Sequence, residues 1–123
     1  MRENTALYSI KFYRNAQGKQ PVKEYLTELA EKTDKESRIK LSKIDYYMQV
    51  LREYGTRAGE PFVKHIEGDI WELRPLNDRF FFFRWQKNIY IILHHVVKKK
   101  QKTPKYEIEQ VKRIMRDFIN RSD

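Results

Sequence analysis

Apolar and polar residues alternate from Leu7 to Phe12, with Leu7, Ser9 and Lys11 set against Tyr8, Ile10 and Phe12; this period of two predicts a half-buried strand. Asn15 to Gly18 reads as a turn. Pro21 stands where a first helical turn tolerates proline, and Val22, Tyr25, Leu26 and Leu29 follow at helical spacing. Thr33 and Glu36 have the spacing of a capping box, predicting a second helix with the stripe Ile39, Leu41, Ile44, Tyr47, Met48 and Leu51, ending near Gly55. Two successive helices read as a helical hairpin.

Beyond the loop from Gly55 to Pro61 the period returns to two. Strands are predicted over Phe62 to Ile66, Ile70 to Leu76, Arg79 to Trp85 and Ile89 to Lys98, with turns at Glu67-Gly68-Asp69, Asn77-Asp78 and Lys87-Asn88. Such a series of hairpins is an antiparallel meander. Thr103-Pro104 supplies an N-cap and first-turn proline for a last helix, Lys105 to Arg121, whose stripe is Ile108, Val111, Met115, Phe118 and Ile119. The order β-α-α-β-β-β-β-α predicts an α+β fold: an antiparallel twisted sheet, a helical hairpin on one face and a C-terminal helix that packs on the sheet. With no repeat or composition break, residues 1–123 read as a single domain.

Composition sharpens this. Hydrophobic residues make up 40% of the chain, sufficient for a core. The absence of cysteine excludes a disulfide scaffold, a thiolate metal site and a cysteine nucleophile, and fits a reducing cytosol. Nothing approaches the roughly 20 apolar residues that span a bilayer. Met1 to Ser9 lacks the apolar segment of a signal peptide, so a cytoplasmic protein without a membrane partner is expected. The net charge of +9 points to a polyanionic partner.

Strand parity sorts the candidate chemistry. Glu72 and Arg74 lie opposite Trp71 and Leu73, and if the helices take the apolar side, Glu72 and Arg74 are left on an open face. Arg79 and Arg84 have opposite parity and share a face only if a bulge intervenes. His94, Val96 and Lys98 fall on one side, His95 and Val97 on the other. An open face carrying Arg74, Arg79 and Lys98, bordered by Lys99, Lys100 and Lys102, would attract phosphodiesters, because the guanidinium fork pairs with phosphate oxygens bidentately. The alternative for Arg74 is an ion pair with Glu72 or another carboxylate. Tyr106 and Phe81 are candidates to stack on splayed bases, although the run Phe80 to Phe83 reads first as core. His65, His94 and His95 have no partner at metal-ligand spacing. His94 shares parity with Lys98 and is the better catalytic candidate; Glu72 is a weaker candidate base. There is no glycine-rich phosphate loop, no G-x-S-x-G and no carboxylate cluster for two-metal hydrolysis, so neither metal nor cofactor is expected.

The segments Ile70-Trp71-Glu72-Leu73-Arg74, Asp78-Arg79-Phe80, Leu93-His94 and Lys98-Lys99-Lys100-Gln101-Lys102-Thr103-Pro104, followed by Glu107-Ile108, resemble the phage-derived, HigB-like branch of the RelE toxin superfamily. Val96 and Asp78 depart from that pattern, where a phenylalanine and a tyrosine are usual. The resemblance implies the toxin of a type II toxin–antitoxin system: a metal-independent endoribonuclease that cuts mRNA on translating ribosomes and is silenced by a helix-turn-helix antitoxin. It implies RNA-binding or catalytic roles for Arg74 and Arg79, and places Lys98 and Lys99 at the site. Two other classes share the basic face: a non-catalytic RNA- or DNA-binding module, and a phage accessory protein whose charge serves a protein partner.

Overall fold

A computed structural model of the chain describes residues 6–98 and 102–122. Its elements are β1 (Ser9–Phe12), α1 (Pro21–Glu31), α2 (Lys35–Tyr54), a short 3-10 turn (Gly55–Ala58), β2 (Val63–Glu67), β3 (Ile70–Leu73), β4 (Asp78–Trp85), β5 (Ile89–Val97) and α3 (Lys105–Arg121). The expected order holds. The five strands form one sheet in the order β1-β5-β4-β3-β2. The meander β2 to β5 is antiparallel, and β1 joins β5 in parallel, from Ser9 opposite Ile89 to Phe12 opposite Ile92. Since β1 and β2 are the two edges, the helical hairpin between them crosses one face of the sheet.

Two of the three helix starts differ from expectation. Pro21 occupies the first turn of α1, as expected. The cap of α2 is Asp34, whose carboxylate accepts from the Ser37 N–H at 3.0 Å; Thr33 stands one residue too early. Thr103 likewise does not cap α3; its hydroxyl is committed to Glu72. Gly55 ends α2 with φ 64°, and a Cβ there would lie 2.7 Å from the Tyr90 hydroxyl, so only glycine fits.

Both faces of the sheet are covered. On one, Val22, Leu29, Ile44, Met48 and Leu51 of the hairpin pack on Val63, Leu73, Phe80, Phe82, Tyr90 and Ile92. On the other, Val111, Ile114, Met115 and Phe118 of α3 pack on Ile70, Phe81, Phe83, Ile91 and Leu93. The phenylalanine run therefore divides by parity, Phe80 and Phe82 under the hairpin and Phe81 and Phe83 under α3. Each ring so buried is worth about 2 kcal/mol of hydrophobic free energy. This corrects the expectation of an open face: α3 covers the side that bears Glu72 and His94. Among the described residues, no helix is long and apolar enough to cross a membrane.

A bulge interrupts the β4–β5 pairing. Phe81 opposes His94 and Phe82 opposes Ile92, leaving Leu93 unmatched, so Leu93 and His94 both turn toward α3. The bulge does not unite the two arginines of β4. Arg79 stays on the α3 side, opposite Val96, while Arg84 lies on the other face, its guanidinium 5.5 Å from the Tyr8 ring.

Candidate functional site

The candidate site forms where β3 ends, β4 begins, β5 ends and the segment before α3 returns to the sheet. Pro75 cannot continue the ladder, and the chain turns through Leu76 and Asn77. Leu76 adopts φ 54°, a conformation that is uncommon for a non-glycine residue and costs on the order of 1 kcal/mol. That turn presents its carbonyls inward. Arg79 Nη1 donates to the Leu76 carbonyl at 2.7 Å and to its neighbour's, Asp78, at 2.9 Å, while the Lys98 N–H donates to the Asn77 carbonyl at 2.7 Å. The turn, Arg79 and Lys98 are thereby locked together.

Beneath them is Glu72, which is completely buried rather than exposed. Its Oε1 lies 3.3 Å from Arg74 Nε and 3.8 Å from Arg79 Nε, and its Oε2 accepts from the Thr103 hydroxyl at 2.9 Å. A buried carboxylate persists only when charge and hydrogen bonds compensate its lost hydration. Two arginines and a threonine do so here, which makes Glu72 the anchor of the cations rather than a base or an RNA contact. Arg74 also pairs through Nη1 with Glu60 at 3.4 Å; of the readings open for Arg74, the ion pair is the one realised.

Over this anchor lies a groove of about 440 Å³. Arg79, Lys98 and Lys102 supply its cations, Val96, Val97, Pro104 and Tyr106 its apolar wall, with Thr103 and Glu107 completing the lining. Burial and the neighbouring positive charges of Arg79, Arg74 and Lys64 push the Lys98 ammonium below its ordinary pKa, against the pull of Glu72. His94 stands at the side, Nε2 3.4 Å from Glu107 Oε2 and its ring stacked on Phe81 at 6.1 Å. Burial holds His94 below the usual imidazole range although Glu107 pulls the other way, so the neutral ring is the favoured form.

The expected site residues are thus partly assembled. Arg79, Lys98, Lys102 and Tyr106 line one groove; Arg74 and Glu72 support it from behind, and His94 touches it through Glu107. Lys99 and Lys100 lie outside the described residues. His95 faces away, as parity requires. It joins a cluster that sequence reasoning missed: fully buried Asp78 meets His95 Nε2 at 3.1 Å, Lys40 Nζ at 3.3 Å and the Tyr25 hydroxyl at 3.3 Å, with the Tyr25 ring stacked 4.0 Å from His95. This cluster bolts the start of β4 to both helices of the hairpin. Its only sequence signal was Asp78, an acid at a position expected to be a polar turn. Glu107 was noted only as part of a motif, and Thr103 only as a cap and as part of the same motif. A broader hollow of about 790 Å³ lies along the outer side of α2, between Thr33 and Tyr46; it is lined by surface side chains and shares nothing with the buried charge network.

No curated protein gives a significant match to the chain. A family model described as "Phage derived protein Gp49-like (DUF891)" matches residues 24–116, a span that runs from α1 to the last turns of α3 and includes every residue of the groove and its anchor. The chain belongs to the phage-derived Gp49-like protein family.

Proposed function

We propose that this chain is the toxin of a type II toxin–antitoxin pair, an endoribonuclease of the RelE/HigB-like kind that cuts mRNA, with the ribosome helping to align the strand and a helix-turn-helix antitoxin restraining it. The observation that carries the reading is the convergence of Arg79, Lys98 and Lys102 on one groove, over a buried Glu72 that fixes Arg74 and Arg79. The wall residue Tyr106, 71% exposed, adds a free aromatic surface beside the cations.

RNA brings its own nucleophile. In the proposed step the 2′-oxygen bonds to the adjacent phosphorus as the bond from phosphorus to the 5′-oxygen breaks, leaving a 2′,3′-cyclic phosphate and a 5′-hydroxyl. The proton of the 2′-OH leaves to a base, and the departing 5′-oxygen takes one up. Arg79 and Lys102 stabilise the charge that builds on the phosphoryl oxygens. Lys98, its pKa lowered by burial and by neighbouring cations, is the group best suited to pass a proton within the groove. Neutral His94 is a second candidate for proton transfer, acting from beside Glu107. No step of this scheme calls for a bound metal.

A second reading is a binding module that uses the same groove without cleavage. It is favoured by the inward aim of Arg74 Nε and Arg79 Nε, both turned to Glu72. One experiment separates the two. Expression of the chain alone should arrest growth and create new RNA 5′ ends inside translated frames, and Lys98→Met should lower cleavage by roughly a hundredfold or more, the scale of losing a proton-transfer group. Soluble protein that binds RNA but leaves growth and RNA ends unchanged selects the binding module.

A further inference from the structure

One apolar residue of α2 stands on the side away from the core. Leu41, Ile44, Met48 and Leu51 pack inward, whereas Ile39 precedes Ile44 by five residues, which sets it about 140° further around the helix. Ile39 is 52% exposed, and Tyr46, two turns along the same side, is 56% exposed. Ser42 lies between them with a side chain too small to fill the gap, and the hollow of about 790 Å³ opens there. Tyr46 is a fixed wall of it, its ring braced edge-on against Tyr47 and Phe62 with centroids 6.1 and 5.9 Å away. Lys35, Arg38 and Lys43 also line the hollow, and no acid does. Among the described residues the side chains of these three make no ion pair or hydrogen bond, whereas Lys40 of the same helix is committed to Asp78.

We propose that this outer face of α2 is the docking surface for an acidic amphipathic helix of a partner protein. It stands apart from the reading of the groove as an RNA site: α2 and α3 pack on opposite faces of the sheet, and the hollow shares no lining residue with the groove. Lys35 to Tyr46 spans about 16 Å, three helical turns, so a helix of similar length laid along it meets Ile39, Ser42 and Tyr46 in succession. An apolar side chain of the partner enters the gap over Ser42 as a knob held between Ile39 and Tyr46. Arg38 and Lys43 lie on opposite flanks of that ridge, where they meet carboxylates bordering the partner's apolar stripe. The side chains disfavour other occupants. Ile39 presents a nucleic acid with neither a ring to stack on nor a hydrogen-bonding group. Two apolar side chains are too few to hold a bilayer surface. A second copy of the chain carries the same net charge of +9 and is repelled.

The test titrates synthetic peptides of about 18 residues, long enough to be helical, into the intact protein labelled with nitrogen-15, and follows its amide shifts at about 150 mM salt. The first peptide has leucine at i, i+3, i+4 and i+7 spacing, glutamate on both flanks and alanine elsewhere. The second has the same composition with the leucines dispersed around the helix, and the third has glutamine for glutamate. Shifts from the first peptide should centre on Thr33 to Tyr46, and it should bind at least about tenfold more tightly than the other two. Ile39→Ser, and Arg38→Gln combined with Lys43→Gln, change only exposed side chains and should melt with the parent. Each should weaken the first peptide by about tenfold. Equal affinity for the first two peptides would reduce the face to diffuse charge and overturn the proposal. Shifts centred on Arg79, Lys98 and Lys102, binding that survives both variants, or no binding up to about 1 mM peptide would overturn it as well. A uridine hexanucleotide that shifts the amides of Thr33 to Tyr46 as strongly as the first peptide would make this a nucleic-acid surface instead.

Discussion

Glu72 sits where a carboxylate is normally excluded, and its neighbours explain why it is kept. Without it, Arg79 would lose its ion pair, Arg74 would keep only the exposed Glu60, and the Thr103 hydroxyl would lose its acceptor. Glu72→Gln preserves shape while removing the charge, so it isolates the electrostatic role. The expected outcome is a loss of about 2–4 kcal/mol in urea unfolding, the scale of breaking a buried ion pair from one side. A variant as stable as the parent would return Glu72 to the exposed, reactive role that parity alone suggested. Asp78 follows the same logic on the other face. Burial pushes its carboxyl up, but the hydrogen bond and charge of His95, with Lys40, outweigh that and hold it below the usual carboxylate range. A group lowered in this way stabilises the fold above its ordinary pKa and loses that contribution only as acid brings the pH down through the lowered value. In both cases the residue type was plain in the sequence, but its burial was not: what makes a buried acid tolerable is a set of partners remote along the chain, here Thr103 for Glu72 and Tyr25 for Asp78.

Among the elements, local periodicity located the three helices and the meander, and the last helix matches its expected bounds, because apolar spacing and turn residues are local signals. The facing of the elements was less legible. The runs Phe80 to Phe83 and Ile89 to Leu93 are continuously apolar, the mark of strands buried on both faces, but strand parity was read as leaving one face open, and α3 covers that face. The bulge at Leu93 had no such mark, and it sets which side His94 takes relative to Leu93. The opposite parity of Arg79 and Arg84 within β4, by contrast, was readable and holds. His94 also couples elements, joining β5 to α3 through Glu107, and this gives a pH prediction. Because burial lowers its pKa, the folded protein disfavours the charged ring. Its contribution to stability is complete above the unfolded value of about 6.5 and declines as pH falls through that value toward the lowered folded one. Thermal melting of the parent should therefore drop more steeply between about pH 7.5 and 5 than that of His94→Gln, which has no ring to protonate. Parallel curves would mean that His94 is charged as easily in the folded state as in the unfolded chain.

At the scale of the molecule, the net charge of +9 and the groove are separate facts that make different claims about binding. Diffuse charge attracts any polyanion, whereas three cations in one groove hold a defined stretch of backbone. Salt distinguishes them, because each phosphate neutralised on a single strand contributes about −0.7 to the slope of log affinity against log salt. If Arg79, Lys98 and Lys102 carry the contacts, a short RNA should give a slope of about −2. If the whole surface takes part, the slope should approach about −6. Lys102→Met then becomes decisive, since Lys102 lines the groove but has no part in the ion pairs around Glu72, and its loss leaves the anchor intact. The variant should melt with the parent, bind RNA more weakly at low salt, and show a slope shallower by about 0.7, measured by anisotropy over roughly 50–300 mM salt. A slope that does not change on removing Lys102, with weaker binding or without it, would mean that the phosphates lie elsewhere on the basic surface and that the groove is not where the strand is held.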